Sequence, residues 1–421
     1  MRVVLLATLL VILPACERGE PVFSASEQQV LASLTLASLS SPPADPSNRV
    51  SGEPLAIQLG EQLFFDVRLS GAGDQSCASC HQPDQHFTDR RPKGHGVRPL
   101  HRNTPTLVGV AWQTWFYWDG RRDSLWSQAI VPIEAPDEMA GSRLGAARLI
   151  AHEPSYRAPY ESLFGPLPDF LTEPSLPDHA GAYAFEDAQA AWWRLNPARR
   201  ETINTVFANV GKLIAAYEAT LEPVAAPFDH AMALISIEPR STPDDLAVSI
   251  SDDAIAGARL FADAGRTRCL QCHSGPLMTN GGFHNVGSGT LAGTDPDFGR
   301  LFGLQAVRLD PFNCLGPYSD APPEACSALR FMAPDQHGES AGAFKVPTLR
   351  NVGDTAPYFH DGRFASLREV VEHYVSPPEP LSDHELQPLD LNDREIDQLV
   401  AFLEALTAVH EPNLSPRAAA R

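Results

Sequence analysis

Basic residues are scarce in this chain. Its 421 residues hold 32 Lys and Arg against 52 Asp and Glu, a formal charge of −20. No positive surface is left over to neutralise phosphates, which argues against a nucleic-acid partner and suits a cationic one. Strand pairs are missing too, apart from short hairpin candidates. The apolar run at the N-terminus, Val3 to Leu13, is too short to span a bilayer. Cysteine is sparse and odd in number, seven in all. Proline, by contrast, is abundant: 38 residues, nearly twice the usual share of about 5%. Such a chain is rich in loops and cannot be built mainly of long uninterrupted helices. Its length and 43% hydrophobic content suffice for two or three full-sized domains.

The short apolar run follows Arg2 and has the shape of a signal-peptide core. It ends Leu13-Pro14-Ala15-Cys16, which resembles a bacterial lipobox. Residues 1–16 then form the signal, and Cys16 becomes a lipidated first residue that anchors the protein to a membrane. An ordinary secretory signal is the alternative. Both readings export the protein to an oxidising compartment, the periplasm. Residues 17–52, rich in Ser, Pro and Ala, read as a flexible tether.

Four of the seven cysteines lie in two C-x-x-C-H segments, Cys77-Ala78-Ser79-Cys80-His81 and Cys269-Leu270-Gln271-Cys272-His273. At this composition about 0.004 chance matches are expected, so two accidents are not credible. Two thiols at this spacing add across the two vinyl groups of one haem, and the adjacent His becomes the proximal iron ligand. Zinc would need four close ligands, and a dithiol redox motif would not need His. The segments therefore call for two covalent c-type haems, with His81 and His273 on the irons. The last two cysteines, Cys314 and Cys326, flank a Pro-rich stretch. In an oxidising compartment a local disulfide closing that loop is the favoured reading.

The chain also resembles itself. Leu59-Gly60-Glu61-Gln62-Leu63-Phe64 precedes the first haem segment as Ala256-Gly257-Ala258-Arg259-Leu260-Phe261 precedes the second. Downstream, Pro105-Thr106-Leu107 matches Pro347-Thr348-Leu349 at an offset of 242 residues. At the same offset Trp118-Asp119-Gly120-Arg121 matches His360-Asp361-Gly362-Arg363, and Ser124-Leu125 matches Ser366-Leu367. The fold class expected is mainly α and loop-rich: two tandem cytochrome c-like domains, each with one covalent haem. Leu367 to Tyr374 reads as a helix ending in two candidate sixth ligands, His373 and Tyr374. Their register mates are Val131 and Pro132, neither of which can bind iron. One closed haem beside one open haem suits an enzyme better than a simple electron carrier.

These residues resemble the bacterial dihaem cytochrome c peroxidase/MauG superfamily over roughly residues 53 to 410. The resemblance rests on the two haem segments, Arg102-Asn103-Thr104-Pro105-Thr106, Phe116-Tyr117-Trp118-Asp119-Gly120-Arg121 and Thr355-Ala356-Pro357-Tyr358-Phe359-His360-Asp361-Gly362. It implies a calcium ion between the domains, held by Asn103 and the carbonyls of Thr355 and Pro357. It implies that Trp118 relays electrons between the haems, and that Gln128, Pro132 and Glu138 line the open face of haem 1, Glu138 handling peroxide protons. It also implies that Tyr374, where peroxidases usually carry Met, is the haem 2 ligand of the MauG branch. Gly94-His95-Gly96 matches the peroxidase loop whose histidine closes haem 1 at rest. The sequence thus joins a peroxidase-like loop to a MauG-like ligand, and a homodimer is the family's common state.

The organisation expected is a first haem domain over 53–234, a linker over 235–253, a second haem domain over 254–411 and a tail over 412–421. The 3–4 spacing of Ile203, Val206, Phe207, Val210, Leu213, Ile214 and Tyr217 predicts an amphipathic helix, placed between the haem domains. Asn392-Asp393-Arg394-Glu395 predicts a capping box that opens a helix covering haem 2. The leading function is hydrogen peroxide reduction with electrons from a small cytochrome c or cupredoxin. A peroxide-driven oxidase that modifies a partner protein, and a non-catalytic electron-transfer cytochrome, are the alternatives.

Overall fold

The computed structural model describes residues 21–239, 241–247, 249–289, 295–379 and 383–409. The signal segment, Cys16 and the tail lie outside the described residues. Helix α1 (Ala25–Ala32) opens on a capping box in which the Ser24 hydroxyl accepts the Glu27 amide at 3.3 Å and the Glu27 carboxylate accepts the Ser24 amide at 2.7 Å. Helix α2 (Pro54–Phe64) has proline in its first turn, where no amide donor is needed. Two short helices follow, α3 (Leu125–Ala129) and α4 (Val131–Glu134), then α5 (Arg143–His152). The longest helix, α6 (Pro197–Glu218), is capped by Asn196, whose Oδ1 accepts the Ala198 amide at 2.8 Å.

The second half repeats the plan with α7 (Asp252–Ala262), β1 (Phe283–His284), α8 (Arg300–Leu309), β2 (Phe344–Lys345), α9 (Leu367–Val375) and α10 (Asp393–Glu404). The strands pair antiparallel, Phe283 opposite Lys345. The capping box at Asn392 forms as the spacing predicts, with the Glu395 amide on Asn392 Oδ1 at 3.1 Å and the Asn392 amide on Glu395 Oε2 at 3.0 Å.

Each half closes on one helix crossing. In the first, α2 lies against α6, and a Cβ on Gly60 would run into the Leu213 carbonyl. In the second, α7 lies against α10, and a Cβ on Gly257 would run into the Gln398 carbonyl. The same turn of each crossing carries an aromatic pair: Phe64 and Tyr217 have ring centroids 5.2 Å apart, Phe261 and Phe402 5.1 Å. The repeated glycines are therefore the points where two backbones touch, which only a residue without Cβ permits. This geometry corrects one expectation. Helix α6 is the closing helix of the first domain, with Ile203, Phe207, Val210, Leu213 and Ile214 buried in that domain's core; it does not lie between the haem domains.

The expected tether is also packed where it is described. Val22, Phe23, Leu31 and Leu34 are buried in the second domain's core beside Phe228 and Ile235. Farther along, Ser47 Oγ accepts the Trp126 indole N–H at 2.8 Å in the first domain. Residues 21–50 are thus a strap across both halves: the Ser/Pro-rich stretch is brief, and the four apolar side chains before it find a groove. The expected linker likewise contributes Leu246 and Ile250 to the second core.

Candidate dihaem site

The two haem-attachment segments adopt equivalent local structures. Cys77–Cys80 is a single helical turn and Cys269–Gln271 a 3₁₀ turn. All four cysteines are free of disulfides. His81 sets Nδ1 2.9 Å from the Phe87 carbonyl, and His273 sets Nδ1 2.9 Å from the Met278 carbonyl. A carbonyl can only accept, so Nδ1 carries the proton and Nε2 is left with its lone pair. Burial holds both imidazoles below their ordinary pKa, His273 at about 4. A neutral imidazole oriented through its second nitrogen is the form that binds a metal. Two free thiols and such a ring, twice over, fit two c-type haems.

Beyond these segments the 242-residue register holds in three dimensions. Phe116 pairs with Arg122 as Tyr358 pairs with Phe364, each in an isolated antiparallel bridge. Within those turns Tyr117 and Phe359 have φ of 67° and 71°, and Gly120 and Gly362 66° and 64°. The Thr106 hydroxyl donates to the His86 carbonyl and the Thr348 hydroxyl to the Leu277 carbonyl, both at 2.6 Å. The halves diverge at the next element. Helix α9 runs unbroken through Tyr374. Its counterpart is split into α3 and α4 at Ile130, because Pro132 has no N–H to give the Gln128 carbonyl.

His373 and Tyr374 point to different tasks. His373 is buried with Nε2 2.8 Å from the Val286 carbonyl. Tyr374 is half-buried, and burial, with Cys272 and Cys269 nearby, pushes its phenol above the ordinary value. On the first side, every residue from 124 to 130 is buried except Gln128. Glu138 is held above the usual carboxylate range by burial, opposed by the Arg121 guanidinium. Its backbone, with that of Asp137, accepts the amides of Val97 at 2.7 Å and Arg98 at 3.0 Å. The loop carrying His95 is therefore fastened to the Glu138 turn, and the His95 carbonyl lies 3.8 Å from Cys80 Sγ, while His95 as a residue is exposed.

Trp118 sits on the seam between the halves. Its indole donates to the Asn103 carbonyl at 2.9 Å, its own carbonyl accepts the Lys345 amide at 2.8 Å, and the Asn103 amide donates to the His360 carbonyl at 2.7 Å. Arg102 clamps the seam with two bonds of 2.8 Å to Asp297 and one of 2.6 Å to Asp119. Asn103 Nδ2 donates to the Arg91 carbonyl at 2.9 Å. The Asn103–His360 bond brings Asn103 onto the loop that carries Thr355 and Pro357.

The methylamine utilization protein MauG of Methylorubrum extorquens is 33% identical to this chain over 359 residues, 84% of this chain and 79% of that protein. The chain belongs to the di-haem cytochrome c peroxidase family. That family's profile matches residues 54–234. Cytochrome c551 peroxidase of Nitrosomonas europaea is 28% identical over 370 residues, covering 87% of this chain and 84% of its own. Among solved structures, the diheme peroxidase BthA of Burkholderia thailandensis superposes with a TM-score of 0.60 at 20% identity, over 89% of this chain and 91% of that one. A MauG-like protein associated with microbial copper homeostasis gives 0.58 at 22%, over 88% and 93%. These two speak for the fold, a pair of cytochrome c-like domains. As a member of the family the protein is a haem-dependent oxidoreductase, and the family brings two c-type haems.

Within this dihaem protein several residues of the site escape sequence reasoning. Asp297 lies far from any motif and Lys345 stands just outside Pro347-Thr348-Leu349; both reach the seam only through folding. Glu218, the last residue of α6, reads as a surface acid. The crossing instead buries it near Cys77, with Oε2 lacking a hydrogen-bond partner among the described residues, and its carboxyl is pushed up to about 8. The matching place in the second domain is Leu403, next to Phe402 as Glu218 is next to Tyr217. The disulfide Cys314–Cys326 forms as expected, with Cα atoms 5.7 Å apart. It closes a loop that seats on the first domain: the Cys314 amide donates to Asp123 at 2.9 Å, and Phe312 and Tyr318 join the first core.

Proposed function

We propose that this protein reduces hydrogen peroxide to water in the periplasm, using electrons from a small cytochrome c or cupredoxin. The observation that carries the reading is the asymmetry between α3/α4 and α9: a broken helix with Pro132 in the first half, an intact helix with Tyr374 in the second. Cys77 and Cys80 would attach one haem with His81 as an iron ligand; Cys269 and Cys272 would attach the other, with His273 and Tyr374 as its iron ligands. Bound haem supplies an iron centre that exchanges single electrons. The chain does the rest. Pro132 offers no ligand, so a small oxygen ligand has room on that side. Peroxide takes up two electrons and two protons to leave two waters, and Glu138, protonated more readily than an ordinary Glu, holds and delivers a proton beside it. Gln128 orients the ligand. Trp118 links the two haem environments through the Asn103 and Lys345 backbone, and the Arg102–Asp297–Asp119 cluster holds that link rigid. His95 serves as the resting-state closure of the first site.

Net charge of −20 favours a basic electron donor. Oxygen donors on Asn103, Thr355 and Pro357 suit calcium at the seam. Cys16 as lipid anchor and a homodimer complete the reading. Tyr374 favours a second one: an anionic phenolate stabilises oxidised iron, which suits an oxidase that stores oxidising equivalents and modifies a residue of a partner protein. Peroxide turnover with reduced cytochrome c separates the two. Rapid donor oxidation supports the peroxidase, and slow donor oxidation with a long-lived oxidised protein supports the oxidase. Electron paramagnetic resonance of the resting ferric protein tests the asymmetry both share, since two low-spin signals that persist after partial reduction would remove it.

A further inference from the structure

The two halves differ at a second pair of positions, and the difference tracks the first. In the second half α9 is intact, and the residue in the preceding left-handed turn is Phe359, whose ring lies among Phe364, His373 and Tyr374 at 4.9 to 6.4 Å. In the first half the helix is broken by Pro132, and the same turn position is Tyr117. The only chemical difference between the two aromatic rings is a hydroxyl. That hydroxyl reaches the break: it lies 3.5 Å from the Gln128 carbonyl, the acceptor that Pro132 leaves without its helical donor.

Such a contact is long. O–H···O bonds ordinarily span about 2.5–3.0 Å, so the Tyr117 proton is only weakly committed. The ring itself is fixed. Arg121 stacks on it with the guanidinium 3.4 Å from the centroid, and the backbone is held at φ 67°, a conformation that bulky residues adopt at a cost of about 1–3 kcal/mol and that clusters at functional sites. Burial, with Glu138 nearby and opposed by Arg121 and Arg122, holds the phenol above its ordinary pKa, so the hydroxyl remains a donor.

We infer that Tyr117 is a third polar group of the peroxide pocket, donating its hydroxyl in a hydrogen bond to an oxygen ligand held beside Pro132. Gln128, Glu138 and Tyr117 then surround one small ligand: an amide, an acid and a phenol donor. The inference rests on the open first site of the proposed function. Carbon monoxide bound to the reduced protein is the probe, because its infrared stretch responds to a nearby donor without turnover. Tyr117→Phe keeps the ring and reproduces an arrangement that the second half already folds with. In the variant the stretch shifts to higher frequency, and the second-order rate of reaction with peroxide falls about tenfold, the worth of one modest hydrogen bond. If wild-type protein binds no carbon monoxide, the open-site reading fails. If it binds but the band is unmoved in Tyr117→Phe, Tyr117 does not touch the ligand and the inference falls, whatever happens to the rate.

Discussion

Helices α3/α4 and α9 descend from one pattern: each starts after a Ser N-cap (Ser124, Ser366) that follows a D-G-R turn, and each follows an aromatic residue in the left-handed region. One residue decides whether the helix continues. At position 374 a residue with an N–H continues the helix and presents a phenol. At position 132 proline ends the ladder and presents an inert ring. A single missing hydrogen-bond donor thus separates a broken helix from an intact one, while the antiparallel bridges and left-handed turns that precede them are kept. The scaffold tolerates that break, since the flanking turns fold alike in both halves.

The strongest attack on this comparison rebuilds the second site in the first. Pro132→Tyr combined with Tyr117→Phe should close the first haem, giving two low-spin signals in the ferric protein and a loss of peroxide activity of at least about hundredfold, the scale of removing a catalytic group. Unchanged activity would break the comparison. Glu138→Gln should lower kcat about 10²–10⁴-fold with the resting spectra unaltered, which steady-state kinetics checks. The opposite exchange in the second site, Tyr374→Met, should raise the potential of that haem by about 0.1 V or more, since a thioether favours the reduced state; a redox titration that finds no rise would refute phenolate ligation.

Two smaller effects test how equivalent the scaffolds are. Gly60→Ala and Gly257→Ala should each destabilise by about 1–3 kcal/mol in urea unfolding, because both place a methyl group on a backbone carbonyl. A marked inequality would show that one crossing can open. The second test concerns Glu218, which has Leu403 as its counterpart. Its carboxyl pKa is raised from an ordinary value near 4.5 to about 8 on folding. Between those values the folded state binds the proton more tightly than the unfolded state, so stability falls as pH rises and levels off above the folded pKa. Glu218→Leu should remove that fall, raising stability by up to about 2 kcal/mol at pH 8–9 and leaving it nearly unchanged at pH 5; thermal unfolding at the two pH values decides it.

Local patterns were readable in one dimension. Haem attachment needs a fixed thiol–thiol–imidazole spacing, so Cys77, Cys80, His81 and their second set are visible in the chain. The capping box at Asn392 and the amphipathic run of α6 are visible for the same reason: each rests on residues three or four apart. What α6 packs against was not. Its apolar stripe fits a domain interior and a domain interface equally well, and only the contact of Gly60 with the Leu213 carbonyl decides between them. The strap from Val22 to Leu34 was masked by the Ser- and Pro-rich residues that follow it, although its buried side chains are ordinary core residues. Tyr117 was in view inside a quoted motif, yet its hydroxyl had no assigned partner because the Gln128 carbonyl belongs to another element.

By itself, the sequence determined the number of covalent haems, the tandem repeat and the break at Pro132, because thioether spacing, repetition and a missing N–H are properties of the covalent chain. The tertiary structure decided the rest: that Arg102 joins Asp119 to Asp297 across the seam, that Glu218 is buried near Cys77, and that the Tyr117 hydroxyl reaches the broken helix. Burial and charge pairing belong to surfaces that meet only on folding, and no local pattern encodes which surface will arrive.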